Sequence, residues 1–290
     1  MSRVRNLLQA HWLAEKPAPP EANSNHDHAP SVTAMDLCDI AEEHVAIRPD
    51  ARLVYHTDPH GAAADRFRLM RIRLHALRMT GKLKKLLITS PLPGDGKSTV
   101  SLNLATALSE GGARRVLVVD ADLHHSPLTV ELGLSKRRGL AECLAGSMDP
   151  LKAVCRLTPL NWHLLAAGKP VFNPTELLQG QMLPSILDRL TPHFDWIVIN
   201  SPPVIPLSEV LILKDNSDGA LLVVRAHRTA QDAVEESVAL LGKQHILGVI
   251  LNAVDESDMV YSKYGYGYAY SKSICESRSD EPLPSGVIEL

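Results

Sequence analysis

The stretch from Lys85 to Ser109 constrains this chain more than any other. An apolar run (KLLIT) leads into Ser90-Pro-Leu-Pro-Gly-Asp-Gly-Lys-Ser-Thr99, and a helical pattern (VSLNLATALS) follows at once. A strand, a glycine turn and a helix in that order set a helix N-terminus behind a cluster of backbone N–H groups, which favours bound anions. Gly94 and Gly96 let those N–H groups converge on phosphate oxygens, because glycine adopts the required turn conformations without steric cost. Lys97 then reaches the β/γ-phosphates, and the Ser98 hydroxyl ligates Mg²⁺, as in the loop G-x-x-x-x-G-K-[ST]. The strict pattern begins with Gly, and this chain has Pro91 there. The strand before and the helix after are the context the motif needs.

Such a loop must be anchored in a sheet, and the flanking sequence predicts one. Strand candidates are Lys85–Thr89, Val116–Val119, Trp162–Ala166, Trp196–Ile199, Ala220–Val224 and Leu247–Leu251. Helical patterns fall between them, at about Lys97–Ser109, 139–146, 175–190, 207–214 and 229–243. Continuous apolar strands separated by helices indicate an α/β fold, with a mostly parallel sheet covered on both faces. A basic helix with interleaved apolar residues (AAADRFRLMRIRLHALRM, 62–79) precedes the first strand. The expected organisation is an N-terminal segment over 1–61, a phosphate-binding domain over 62–255 and a flexible tail over 256–290. Within the first segment, Val4, Leu7, Leu8 and Leu13 mark a short amphipathic helix and KPAPPEANSNHDHAP reads as a disordered linker.

Two further strand ends carry polar residues suited to phosphate chemistry. Val116-Leu-Val-Val-Asp120-Ala-Asp122-Leu-His124 puts two acids at the carboxyl edge of the sheet, where open α/β folds bind ligands. One can orient Mg²⁺ and the other can accept a proton from an attacking hydroxyl; the plainer alternative is a pair of capping acids in a loop. Trp196-Ile-Val-Ile-Asn200-Ser-Pro-Pro203 ends in an amide where a magnesium-binding strand normally ends in an acid. Glu209 lies downstream and reaches that position only if the chain bends back, so it is not assigned to the site.

Five of the six tyrosines, Tyr261, Tyr264, Tyr266, Tyr268 and Tyr270, fall within ten residues near the C-terminus. Glycine, serine and lysine between them preclude a core, so the phenols are either reachable by an active site or a stacking surface for a partner. A net charge of -3 gives no sign of a nucleic-acid binder. No run approaches the roughly 18 apolar residues of a membrane span. Four cysteines without C-x-x-C spacing indicate neither zinc nor a disulfide framework and fit a reducing cytoplasm.

In combination, residues 62–270, about 70% of the chain, resemble the bacterial tyrosine kinases of capsule and exopolysaccharide systems. The resemblance rests on the loop at Ser90–Ser98, the D-x-D at Asp120–Asp122, the N-x-P-P at Asn200–Pro203 and the tyrosine cluster. It also rests on Asp65, Arg68 and Arg71, at the spacing of the family's E-x-x-R-x-x-R helix. It implies a P-loop NTPase fold of the MinD/ParA kind, with ATP and Mg²⁺ as cofactors. Pro93, Gly94, Asp95 and Gly96 would line the nucleotide together with Lys97, Ser98, Thr99 and Asn252. Lys97, Asp120 and Asp122 would be catalytic; Ser98, Asp122 and Asn200 would hold the metal; the five tail tyrosines would be acceptors. Asp65, Arg68 and Arg71 would pack against a neighbouring subunit in a homo-oligomeric ring, each tail being phosphorylated in trans. A separate transmembrane activator of polysaccharide polymerisation and a phosphotyrosine phosphatase would be partners, with the kinase recruited to the inner face of the plasma membrane.

The family usually has Arg where this chain has His124, and Asp where it has Asn200. The second departure keeps open an ATP-binding scaffold with weak catalysis. A MinD/ParA-type ATPase switch is the other alternative, but its signature lysine position is Leu92 here and such proteins lack a tyrosine tail.

Overall fold

The computed structural model describes residues 40–47, 52–81 and 83–254. Eight strands are β1 (Ala41–His44), β2 (Lys85–Thr89), β3 (Val116–Asp120), β4 (Cys155–Thr158), β5 (Trp162–Leu165), β6 (Trp196–Asn200), β7 (Gly219–Arg225) and β8 (Ile246–Asn252). They form one sheet in the order β1-β4-β5-β3-β6-β2-β7-β8. β4 is antiparallel to β5 and β1 follows the direction of β4, while every other pairing is parallel. β3 and β6 are buried at every residue and β2 at all but its first, which is why their sequences show no polar alternation.

The helices are α1 (Val54–Thr57), α2 (Ala62–Thr80), α3 (Lys97–Ser109), α4 (Pro127–Glu131), α5 (Leu140–Leu144), α6 (Pro150–Ala153), α7 (Pro174–Gln179), α8 (Met182–Leu190), α9 (Glu209–Asp215) and α10 (Gln231–Leu241). α3 lies on β2, β3 and β6 with α2 against it, so it is buried almost all round and can be apolar almost all round. A second group, α5, α7, α8, α9 and α10, packs together and reaches β2 through α9. The indole of Trp196 ties α2 to the sheet: His75 meets it edge-on at 5.5 Å, and the Arg78 guanidinium lies 5.0 Å from its ring.

Three expectations change. The sheet begins before residue 62: Ala41–His44 pairs with β4, and Val45 and Leu53 enter the core. This strand, AEEH, is mostly exposed at an edge and is held by backbone pairing and by an ion pair from Glu43 to Arg137, so it has no apolar run to announce it. The β4 strand was likewise not anticipated. The helix expected over 175–190 is two helices, because Gly180 adopts an extended conformation (ψ 174°) between them. Pro184 then falls in the first turn of α8, where its missing N–H costs nothing.

Candidate nucleotide site

Strand register brings three polar segments to one edge. Asn200 pairs with Asp120 on one side and with Ile88 on the other, so β3, β6 and β2 finish side by side. The loop 90–96, the Asp120–Asp122 segment and Asn200–Pro203 therefore start from adjacent points.

The loop's shape is fixed by residues far away in sequence. Gly94 (φ +83°) and Gly96 (φ +98°) take the left-handed conformation that favours glycine. A Cβ on Gly96 would lie 2.0 Å from Asn252 Nδ2, and that amide donates to Asp95 O at 2.9 Å. The buried Asp95 carboxylate accepts from Leu92 N–H at 3.0 Å and from the Thr229 hydroxyl at 2.8 Å. Arg225 Nη1 donates to Gly94 O at 3.2 Å. Asn252, expected to line the nucleotide, here clamps the backbone of the loop.

Below the loop, Lys97 Nζ lies 3.1 Å from Asp122 Oδ2, with both side chains over nine-tenths buried. The other Asp122 oxygen accepts from His125 N–H at 3.3 Å. Asp120 is fully enclosed: Oδ2 accepts from Thr129 N–H (3.0 Å) and Oγ1–H (2.6 Å), and Oδ1 from Asn200 Nδ2 (3.0 Å). Burial pushes the Asp120 carboxyl above its usual range, although the Thr129 and Asn200 donors pull the other way. Asn200 is as deeply buried; its Oδ1 lies 3.1 Å from the Ser101 hydroxyl, which also reaches Lys97 O. The amide expected at the metal is thus engaged at both ends within the protein, bridging Asp120 to α3.

Glu209 does bend back. Its Oε1 is 2.9 Å from His124 Nε2 and accepts the Thr175 hydroxyl at 2.7 Å. Burial raises this carboxyl, but the hydrogen bonds from Thr175 and His124 outweigh it and hold the group below its ordinary 4.5. Pro93, Gly94, Lys97, Asp122, His124 and Pro206 line a cleft of about 380 Å³. A groove of about 460 Å³ between α5 and α8 is larger, but its two charged residues, Asp149 and Arg189, are paired with each other. Its Cys143 thiol is pushed up to about 11 by burial and stays protonated at neutral pH. The reactive groups therefore converge in the smaller cleft.

Sequence reasoning missed Thr129, Thr175, Arg225 and Thr229, ordinary hydroxyl and cationic residues that become site components only through long-range packing. No local pattern marks them.

The ParA family, described as NUBPL iron-transfer P-loop NTPase, matches residues 82–265. The tyrosine-protein kinase CpsD of Streptococcus agalactiae is 33% identical over 196 residues, covering 66% of this chain and 85% of that protein. The chain belongs to the bacterial tyrosine kinase family. The kinase domain of the Escherichia coli tyrosine kinase ETK superposes with a TM-score of 0.67 at 27% identity, covering 71% of this chain and 82% of that structure. EpsB of Ralstonia nicotianae is 31% identical over 218 residues, 74% of this chain, and the chain spans only 28% of that longer protein. The matched family is one of P-loop NTPases, which makes the chain a nucleotide-binding protein.

Within this bacterial tyrosine kinase family member, the α2 residues expected at a subunit interface make contacts inside the chain. Arg68 bonds Asp65 at 2.6 Å and also Pro59 O, and Arg71 Nη1 donates to Ala107 O at 3.3 Å. Leu69, Ile72, Leu77 and Met79 are the exposed large apolar members of the same helix. Among the described residues no helix is long and apolar enough to cross a membrane. Tyr261, Tyr264, Tyr266, Tyr268 and Tyr270 lie outside the described residues.

Proposed function

We propose that this cleft transfers the γ-phosphate of ATP to the tail tyrosines of another copy of the chain, in the regulation of capsule or exopolysaccharide synthesis. The observation that carries this reading is the convergence of Gly94, Lys97, Asp122 and His124 on one open cleft, in a chain whose relatives are named tyrosine-protein kinases.

The loop N–H groups and Lys97 hold the phosphates, and the clamps from Arg225, Thr229 and Asn252 keep that backbone preorganised. Lys97 exchanges part of its ion pair with Asp122 for a phosphate oxygen, which leaves an Asp122 oxygen to take the proton of the incoming phenol. Asp120, enclosed by Thr129 and Asn200, positions the strand end and touches no ligand. Ser98 and Asp122 would hold Mg²⁺ through their hard oxygens. When bound it neutralises charge on the transferring phosphoryl group. Asn200, engaged by Asp120 and Ser101, takes no place in that shell.

Trans phosphorylation calls for assembly, and α2 with its exposed apolar residues is the surface we assign to it. A transmembrane activator at the inner face of the plasma membrane and a phosphatase that resets the tail complete the cycle. The uncharged Asn200 specifically favours a second reading, an ATP-binding scaffold with little turnover.

Incubation of the full chain with Mg-ATP and mapping of phosphotyrosine by mass spectrometry separates the two. The kinase gives phosphate on Tyr261–Tyr270 that disappears in Lys97→Ala and in a variant with Phe at all five positions. ATP binding without phosphate, even with the activator's cytoplasmic segment added, establishes the scaffold.

A further inference from the structure

The loop after β7 presents four successive residues, His227 to Ala230, before α10, and its neighbours are already committed to the phosphate loop. Arg225 Nη1 is bonded to Gly94 O, and the Thr229 hydroxyl spans Arg225 N–H (3.0 Å) and Asp95 Oδ1 (2.8 Å). The turn itself is closed by Arg228 N–H and Thr229 N–H, both donating to Arg225 O. Arg228 stands between these fixed points. Its guanidinium Nη1 lies 3.9 Å from where a Cβ of Gly94 would be, against the bare side of a glycine that lines the cleft. The side chain is exposed and makes no hydrogen bond or ion pair with the described residues.

The charge inventory of the cleft makes that arginine consequential. Asp120, Asp122 and Glu209 are buried carboxyl groups around it, and Lys97 is already paired with Asp122. A triphosphate brings several more negative charges to an edge whose two nearby cations are already committed, Lys97 to Asp122 and Arg225 to Gly94 O. A guanidinium never loses its charge, offers paired donors matched to phosphate oxygens, and is weakly hydrated enough to be desolvated at little cost. Here it sits, exposed, on a turn whose backbone is closed by hydrogen bonds.

We propose that Arg228 is a phosphate-contacting residue of the nucleotide site, closing over Gly94 onto the polyphosphate of bound ATP. The proposal deepens the kinase reading and rests on it. It makes the β7–α10 loop a two-part device, in which Arg225 and Thr229 fix the phosphate loop and Arg228 grips what the loop holds.

Calorimetric titration of the full chain with Mg-ATP tests it, using wild type, Arg228→Ala, Arg228→Lys and Lys97→Ala. Loss of a charged hydrogen-bond partner weakens ATP by about tenfold or more in Arg228→Ala. Arg228→Lys recovers part of the affinity, because it restores the charge without the paired donors, which a merely structural role would not produce. The melting temperature stays near the wild-type value because the side chain is exposed. Wild-type affinity in Arg228→Ala overturns the proposal, as does Arg228→Lys binding no better than Arg228→Ala. In either case Lys97-dependent binding by wild type leaves the nucleotide site standing, whereas its absence removes both.

Discussion

The two sides of the cleft are built on different principles. The phosphate loop is a matter of backbone shape: four hydrogen bonds, from Leu92, Arg225, Thr229 and Asn252, hold a glycine turn in place, and Pro91 is tolerated where the strict motif has Gly. The floor formed by β3 and β6 is a matter of charge. There Asp120 is ringed by donors, Asn200 supplies one of them, and Asp122 is balanced by Lys97. A loop held by its backbone accepts sequence change wherever φ and N–H directions survive. A buried floor responds to every added or removed charge, because desolvation is costly there.

Charge on the floor is therefore where the contrast breaks most violently. Lys97→Ala leaves the Asp122 carboxylate buried and unpaired, and should cost about 3–5 kcal/mol of stability as well as ATP binding. Denaturant titration reads the first effect and calorimetry the second. Asn200→Asp is the sharper probe. It places a second carboxylate at the 3.0 Å position now held by an amide donor, beside an Asp120 whose pKa is already raised by burial. In metal-free buffer we expect destabilisation on the order of 2–3 kcal/mol, larger at pH 8 than at pH 5, because a carboxyl whose folded pKa is raised costs more stability as pH climbs above its unfolded value. An unchanged midpoint at both pH values would show that the floor is not governed by charge.

The loop side should respond to geometry instead. Gly96→Ala pushes a methyl onto Asn252, breaks its bond to Asp95 O, and strains a residue at φ +98°. A cost of about 1–2 kcal/mol is expected, with a larger proportional loss of ATP affinity than of stability. Thermal denaturation with and without nucleotide measures both.

How legible each side was follows from how local it is. Lys85–Ser109 could be read as strand, turn and helix because those residues touch one another, and Asp120 and Asp122 could be placed by the apolar run before them. The clamps could not: Thr229 meets Asp95 across 134 residues, and Ser101 meets Asn200 across 99. Glu209 shows the same limit. Sequence placed it downstream of the site, while the fold brings it 2.9 Å from His124, 85 residues away. The edge strand at Ala41–His44 was invisible for another reason: an exposed strand held by backbone bonds needs no apolar pattern.

The smallest predicted effect lies on the Glu209 wall. Its carboxyl titrates below its ordinary 4.5 in the fold, so its contribution is complete above that pH and is lost as pH falls through the lowered folded value. Glu209→Gln should remove about 1 kcal/mol at pH 7 and flatten the stability profile below pH 4.5, as read by urea midpoints across that range.

The central claim, that this cleft phosphorylates the tail of another copy, is tested most directly by complementation. Full-length Lys97→Ala, which keeps its tyrosines, is mixed with the variant carrying Phe at Tyr261, Tyr264, Tyr266, Tyr268 and Tyr270, which keeps its cleft. With Mg-ATP, phosphotyrosine is predicted to appear on the Lys97→Ala chains of the mixture, while each variant alone stays unmodified. A mixture without phosphotyrosine, under conditions where the wild-type chain labels itself, would contradict transfer between copies.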